Sequence, residues 1–203
     1  VEPVRDASAI LPALAEAEPS GSGFFPVLAR VARSASGVPE GASTITMQTG
    51  TGAPSQAAFL TVGKLVTQGG AVNITSSGDA VVRGVVTTPP PPGPGNGGAI
   101  SIKSGGFMTL DTIDARKVGG GTDGNVTLES GGAINVSNGT TVYANQLKMT
   151  AAGGITDGGA APAGPAQTLA ASLNILNTGS GTVNVRNIGP VTLSDLGLAT
   201  GYS

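Results

Sequence analysis

The sequence predicts an all-β chain: a β-solenoid of short strands stacked in parallel, with an N-terminal arm that is partly helical or extended. Three observations predict it. Segments 71–82 (AVNITSSGDAVV), 99–110 (AISIKSGGFMTL) and 125–136 (NVTLESGGAINV) align without gaps. Each alternates apolar and polar residues on both sides of a small turn, the period-2 signature of a strand with one buried face. The copies recur at offsets of 28 and 26 residues, a length that fits one circuit of three strands and three turns.

Residues 1–42 stand apart as an arm or cap. They carry 5 acidic and 3 basic residues and are rich in Ala and Pro. Residues 7–18 have helical composition interrupted by Pro12. Residues 24–34 (FFPVLARVARS) place Val27, Leu28 and Val31 on one side of a possible helix, with Arg30 and Arg33 off that stripe. Residues 21–23 and 36–41 read as joints. The arm is expected to strap the main body or to dock on a neighbouring subunit.

Residues 43–203 form the predicted solenoid. The first apolar pair of each repeat is Val72/Ile74, Ile100/Ile102 and Val126/Leu128, and the second is Ala80/Val82, Met108/Leu110 and Ile134/Val136. These should face inward, with Val72, Ile100 and Val126 in one ladder at about 4.8 Å spacing. A looser copy follows at 173–185. Six or seven coils would give a rod of roughly 30 Å. Gly78, Gly106 and Gly132 mark the turns, where glycine permits positive φ and close packing. Hairpin barrels and sandwiches also use short strands and Gly turns. Against them, Asn-Gly turn pairs occur only at Asn96-Gly97 and Asn138-Gly139.

Stacking in register also accounts for the low charge, since a repeated Lys or Glu would face its own copy on the next strand. The outward position Thr75, Lys103, Glu129 places opposite charges on neighbouring copies. The Pro-rich insertion at 87–98 (TTPPPPGPGNGG) cannot be sheet interior and is expected as an extended polyproline-type loop projecting from a corner. It is a surface insertion or a partner-binding loop. Residues 151–164 form a second loop-rich stretch. Residues 194–203 (SDLGLATGYS) offer no amphipathic cap for the open end that a solenoid must cover.

Composition excludes much chemistry. With no His and no Cys, His-dependent triads, Cys nucleophiles, His metal sites and disulfides are ruled out. Ten unclustered Lys and Arg argue against nucleic acid as a partner. Two Tyr, four Phe and no Trp leave few stacking platforms. No apolar run is long enough for a membrane span. The chain begins at Val1 without a basic-then-apolar leader and reads as a processed protein or a segment of a longer one.

Asp111 and Asp114, with Arg116 and Lys117 nearby, are the nearest approach to a catalytic pair. On a regular strand their spacing sends them to opposite faces, and only a bend would let them converge. Asp123 and Asp157 have the Gly-rich surroundings of calcium loops, but turn formation explains both better. Glycosylation sequons at Asn73, Asn125, Asn135 and Asn138 fit the composition by chance. Residues 44–46 suggest an ice-binding Thr array that the column Thr75, Lys103, Glu129 does not continue. No catalytic, cofactor-binding or metal-ligating residue is therefore assigned, no cofactor is expected and the chain is not read as an enzyme.

The segments GGAISIKSGG (97–106), GNVTLESGGAINVSNGT (124–140) and GTVNV (181–185) resemble repeats of filamentous-haemagglutinin-like bacterial exoproteins. The resemblance covers about 70–203. It implies a right-handed parallel β-helix and an extracellular or cell-surface role without chemistry. The Asn-Pro-Asn-Gly-Ile secretion motif is missing, and the chain is far shorter than those exoproteins. The resulting expectation is a structural subunit of an extracellular bacterial fibre, sheath or surface layer. Its main partner is other copies of itself, assembled head-to-tail through the solenoid ends and the arm. The alternatives are an adhesin segment that binds cell-surface or host glycans, and a carbohydrate-active β-helix enzyme.

Overall fold

The computed structural model describes residues 44–49, 59–160 and 162–193. The arm expected at 1–42 lies outside them. The described chain is all-β, with strands β1 (Ile45–Thr49), β2 (Leu60–Val66), β3 (Val72–Ser76), β4 (Ala80–Val86) and β5 (Ile100–Ser104). There follow β6 (Met108–Asp114), β7 (Val126–Ser130), β8 (Ile134–Val136), β9 (Val142–Ala151) and β10 (Ile155–Thr156). The series ends with β11 (Ala166–Asn177), β12 (Val185–Asn187) and β13 (Thr192–Leu193). Among the described residues there is no helix.

All strand pairs of this single sheet are parallel, and each links one repeat to the next. The first ladder runs Ile45, Val72, Ile100, Val126, Leu147, Leu173, Leu193. At about 4.8 Å per step its seven residues span about 29 Å. A second ladder runs Leu60, Ala80, Met108, Ile134, Ile155 and ends on Val183. A third runs Leu65, Val85, Ile113, Val142, Thr168, Asn187. All twelve inward residues read from the three aligned segments are at most 1% exposed. All but Ala80 belong to one core cluster that runs along the stack.

Several strands carry two ladders because their alternation shifts once. In β6, Leu110 and Ile113 are both buried, with Asp111 and Thr112 outside between them. Asn145/Gln146 in β9 and Ala171/Ser172 in β11 sit at the same kind of step between buried residues. Two consecutive outward residues redirect the strand without ending its hydrogen bonding, much as a bulge does.

The turn glycines serve contact rather than φ. Gly106 and Gly132 are not among the positive-φ glycines. A Cβ at Gly105 would lie 2.0 Å from the Ser77 carbonyl oxygen, and one at Gly131 2.1 Å from that of Gly105. The turns thus stack backbone on backbone. The serines preceding them, Ser76, Ser104 and Ser130, are buried and aligned. Their hydroxyls donate to the turn carbonyls of Asp79 (3.1 Å), Gly106 (3.0 Å) and Ala133 (3.1 Å) respectively, which satisfies polar groups that the stack hides from water.

One expectation is refined and another is corrected. Residues 151–164 are loop-rich, as expected, but they contain a short strand. Ala151 closes β9, and Ile155–Thr156 form β10 with Ile155 fully buried. A further repeat, Leu147–Met149–Ile155, lies here. It follows Val126 closely because Asn145/Gln146 replace the long loops that the two preceding repeats insert at this step.

The Pro-rich insertion does not simply project. Pro89 is buried, although Pro90, Pro91, Pro92 and Pro94 are exposed. Beyond them the chain returns to the body. Gly95 and Val118 exchange two backbone hydrogen bonds, of 2.9 and 3.0 Å, and the Gly97 amide donates to the Thr122 carbonyl at 2.9 Å. A Cβ at Gly97 would lie 1.8 Å from the Ala115 carbonyl oxygen, so the glycines of this segment let the two loops close on each other.

Candidate functional site

A polar cluster lies where these loops meet the sheet. Asp114 ends β6, and the parallel register places Tyr143 of β9 beside it. Arg116, two residues on, turns back over both. Its Nε donates to Asp114 Oδ1 at 2.9 Å, its Nη2 to Oδ2 at 2.7 Å, and its backbone amide to Oδ1 at 3.0 Å. The guanidinium carbon sits 4.0 Å from the Tyr143 ring centroid, a cation–π contact. The Thr88 hydroxyl adds a 3.3 Å bond to Asp114 Oδ1.

The loops are tied around this cluster. The Thr87 amide donates to the Asp114 carbonyl at 2.8 Å, and the Thr87 hydroxyl to the Gly98 carbonyl at 2.7 Å. Asn96 Oδ1 accepts from the Thr122 amide at 2.9 Å. Asp123 Oδ1 accepts from the Lys117 amide at 2.8 Å. Asp114, through Thr87 and Thr88, and Asn96, through Thr122, therefore clamp the Pro-rich loop against its successor, while Arg116 and Asp123 brace the successor itself.

Electrostatics agree with a clamp. Burial pushes the Asp114 carboxyl up, but the hydrogen bonds and charge of Arg116 and the Thr88 hydroxyl outweigh it. The group is held below the ordinary carboxylate value, and the same contact raises Arg116. A carboxylate held ionised by a bidentate guanidinium is poorly suited to donate a proton near neutral pH. Because its pKa is depressed on folding, its contribution is fully present above the unfolded value of about 3.9 and lost as pH falls through the folded value. Asp114→Asn should cost about 1–2 kcal/mol at pH 7, given the half-exposed Arg116. Urea melts at pH 7 and pH 2.5 should show the wild type losing more stability between them than the variant does.

The structure separates the two aspartates noted in the sequence. The shift in β6 that could bring them together is present, yet their partners differ. Asp111 accepts from the Ser137 hydroxyl at 2.6 Å and lies 3.7 Å from Arg83. Asp114 belongs to Arg116 and Thr88. Lys117 contributes its backbone to Asp123 rather than a charge to either. Asp123 and Asp157 both accept from backbone amides, Asp157 from Gly159 at 2.9 Å. No group of three or more potential metal-ligating residues occurs among the described residues.

Elsewhere the outward surface is mixed. Lys103 and Glu129 form the expected cross-strand pair at 3.4 Å. Both are substantially exposed, so the pair adds little stability. The column Gln48, Thr75, Lys103, Glu129, Thr150 is no Thr array. The sequons at Asn73, Asn125 and Asn138 are exposed and Asn135 is half-buried. A depression of about 420 Å³ near Gly154, Thr156, Pro162 and Thr182 has no charged or aromatic lining. Among the described residues no helix is long and apolar enough to cross a membrane.

Sequence reading missed Tyr143 as a functional neighbour, because 29 residues separate it from Asp114 along the chain. Extending the repeat register by one further copy would have supplied the signal. Comparison with protein-family models, curated proteins and solved structures found no match to this chain.

Proposed function

We propose that the chain is a structural, non-catalytic subunit of an extracellular fibre, sheath or surface layer, and that its parallel sheet winds as a right-handed β-helix. Copies of the chain assemble head-to-tail. The observation that carries this reading is the exposure of the last described ladder positions. The inward ladders finish on Val183 and Leu193, which are 43% and 66% exposed, whereas Ile155 and Leu173, one step earlier, are 0% and 5% exposed. Among the described residues nothing stacks on these apolar ladder positions, an edge that invites further pairing. A head-to-tail contact that does not close on itself gives an open fibre.

A second reading, an adhesin segment that binds cell-surface or host glycans, is favoured by one observation. The loop clamp holds exposed prolines at a defined place on the surface. The enzyme reading has less support, since Asp111 and Asp114 are committed to separate partners.

Light scattering and negative-stain microscopy of the purified protein test the fibre reading. Filaments that lengthen with protein concentration are expected. Dispersed short particles alone, under conditions that preserve the native assembly, would overturn it.

A further inference from the structure

We propose that the depression beside β10 binds a neutral, linear oligosaccharide, with Phe107 as its stacking platform. The inference rests on the adhesin reading and deepens it by naming a surface and a class of sugar. It does not depend on head-to-tail assembly.

The parallel register builds the site. The Ala80 amide donates to the Phe107 carbonyl at 2.9 Å, Met108 to Ala133 at 2.9 Å, Ile134 to Gly154 at 3.0 Å and Ile155 to Thr182 at 2.9 Å. Phe107, Ala133, Gly154 and Thr182 therefore hold one position on successive turns of the stack. Along that row the side chain shrinks from phenyl to methyl to hydrogen. The depression opens at Ala133 and Gly154, with Thr182 beyond them and Phe107 one turn before. Phe107 is 57% exposed. Its ring lies over the turn of the next repeat, where a Cβ at Gly132 would come within 3.2 Å of it.

The far wall is the loop after β10. The Asp157 amide donates to the Gly164 carbonyl at 3.0 Å, and Asn184 Nδ2 to the Ala163 carbonyl at 3.2 Å. These bonds fix the loop to the sheet and set Pro162 and Ala163 against the depression. Its volume of about 420 Å³ lies within the range of roughly 300–1,000 Å³ usual for small-ligand sites.

The lining selects the ligand. It contains no ionisable side chain, so nothing there offsets the desolvation of a charged group. Asp157, in the adjoining loop, adds a negative charge that disfavours anionic sugars. The polar groups are hydroxyls and an amide. Thr156 Oγ1 accepts from the Gly158 amide at 3.1 Å and keeps its own proton to donate. Asn184 spends one amide proton on Ala163 and keeps the other, together with its carbonyl oxygen. Thr182 is exposed and adds a second hydroxyl. Neutral groups that both donate and accept match sugar hydroxyls, whereas an apolar partner would leave them unpaired. The apolar face of a pyranose ring packs on an exposed phenyl as other apolar surface does. Three steps of about 4.8 Å separate Phe107 from Thr182, so a ligand touching both is an extended chain and not a single sugar.

Isothermal titration calorimetry of the full chain tests this. The probes are neutral linear hexasaccharides of glucose, mannose or N-acetylglucosamine, with a hexasaccharide of galacturonic acid as the charged comparator. At least one neutral probe should bind saturably and more tightly than the charged one. Phe107→Ala should weaken that binding about tenfold. Thr182→Val should weaken it about threefold. The melting temperature of Phe107→Ala should stay within about 2 °C of wild type, since the ring is largely exposed. Neutral binding that Phe107→Ala leaves unchanged would overturn the site and leave the adhesin reading standing. Tighter binding of the charged probe would overturn the sugar class. Binding of no probe would overturn the proposal and count against the adhesin reading as well. If, in that case, Phe107→Ala disperses larger assemblies seen by light scattering, the row is a protein contact.

Discussion

Ile102→Ala should destabilise the protein by about 4 kcal/mol, the largest effect expected of a single side-chain truncation here. Ile102 is fully buried and is stacked between Ile74 and Leu128. Its neighbours are tied by backbone hydrogen bonds above and below, so they have little freedom to collapse into the space left behind. The cost then includes the cavity as well as the lost transfer free energy. Leu193→Ala should cost less than about 0.5 kcal/mol, because that residue occupies the same kind of ladder position but is 66% exposed on the last described strand. Chemical denaturation of both variants measures the contrast. Equal losses would show that position along the stack does not govern the energetics.

Gly131→Ala should cost about 3 kcal/mol by a different mechanism. The added methyl would lie 2.1 Å from the Gly105 carbonyl oxygen and 2.9 Å from its carbon. Both are backbone atoms and cannot swing aside as a flexible side chain would. The turns must separate, which disturbs the bond from the Gly131 amide to the Ser104 carbonyl at 3.0 Å. Gly120→Ala is the control, for a Cβ there meets nothing within 4 Å and the residue is not in the positive-φ class. A fall in melting temperature of roughly 6–12 °C for Gly131→Ala, against little change for Gly120→Ala, is the expected calorimetric result. Similar melting temperatures would show that the turn glycines are not held at contact distance.

These effects share an origin in parallel stacking. Each residue meets its counterpart in the next repeat, so a local alteration is felt by the turns or ladders on either side. The same geometry explains the low charge. Serine, threonine and asparagine hydrogen-bond along the stack, and the closest charged pair across strands, Lys103 with Glu129, has opposite signs.

The amino-acid pattern by itself determined the register of the three aligned repeats. Alternation places Val72, Ile100 and Val126 inward, and any slip by one residue would turn each apolar set to solvent. It also marked the small residues at the turns, although their φ values show that the need was for close approach. The repeat at Leu147–Ile155 escaped notice because two residues replace a long loop there and its second strand is only two residues long.

The loop clamp was not legible, and the reason is physical. Arg116 has a carboxylate two residues before it in sequence, but nothing local indicates that Tyr143 will lie beneath it or that residues 95–97 will pair with residues 118–122. Those contacts depend on how many residues each repeat inserts before the next strand begins. The exposure of the last described ladder positions was hidden for the same reason. Alternation marks which face of a strand is inward, while only the assembled stack decides which inward residues have a neighbour above or below them. That difference leaves Leu173 buried and Leu193 exposed.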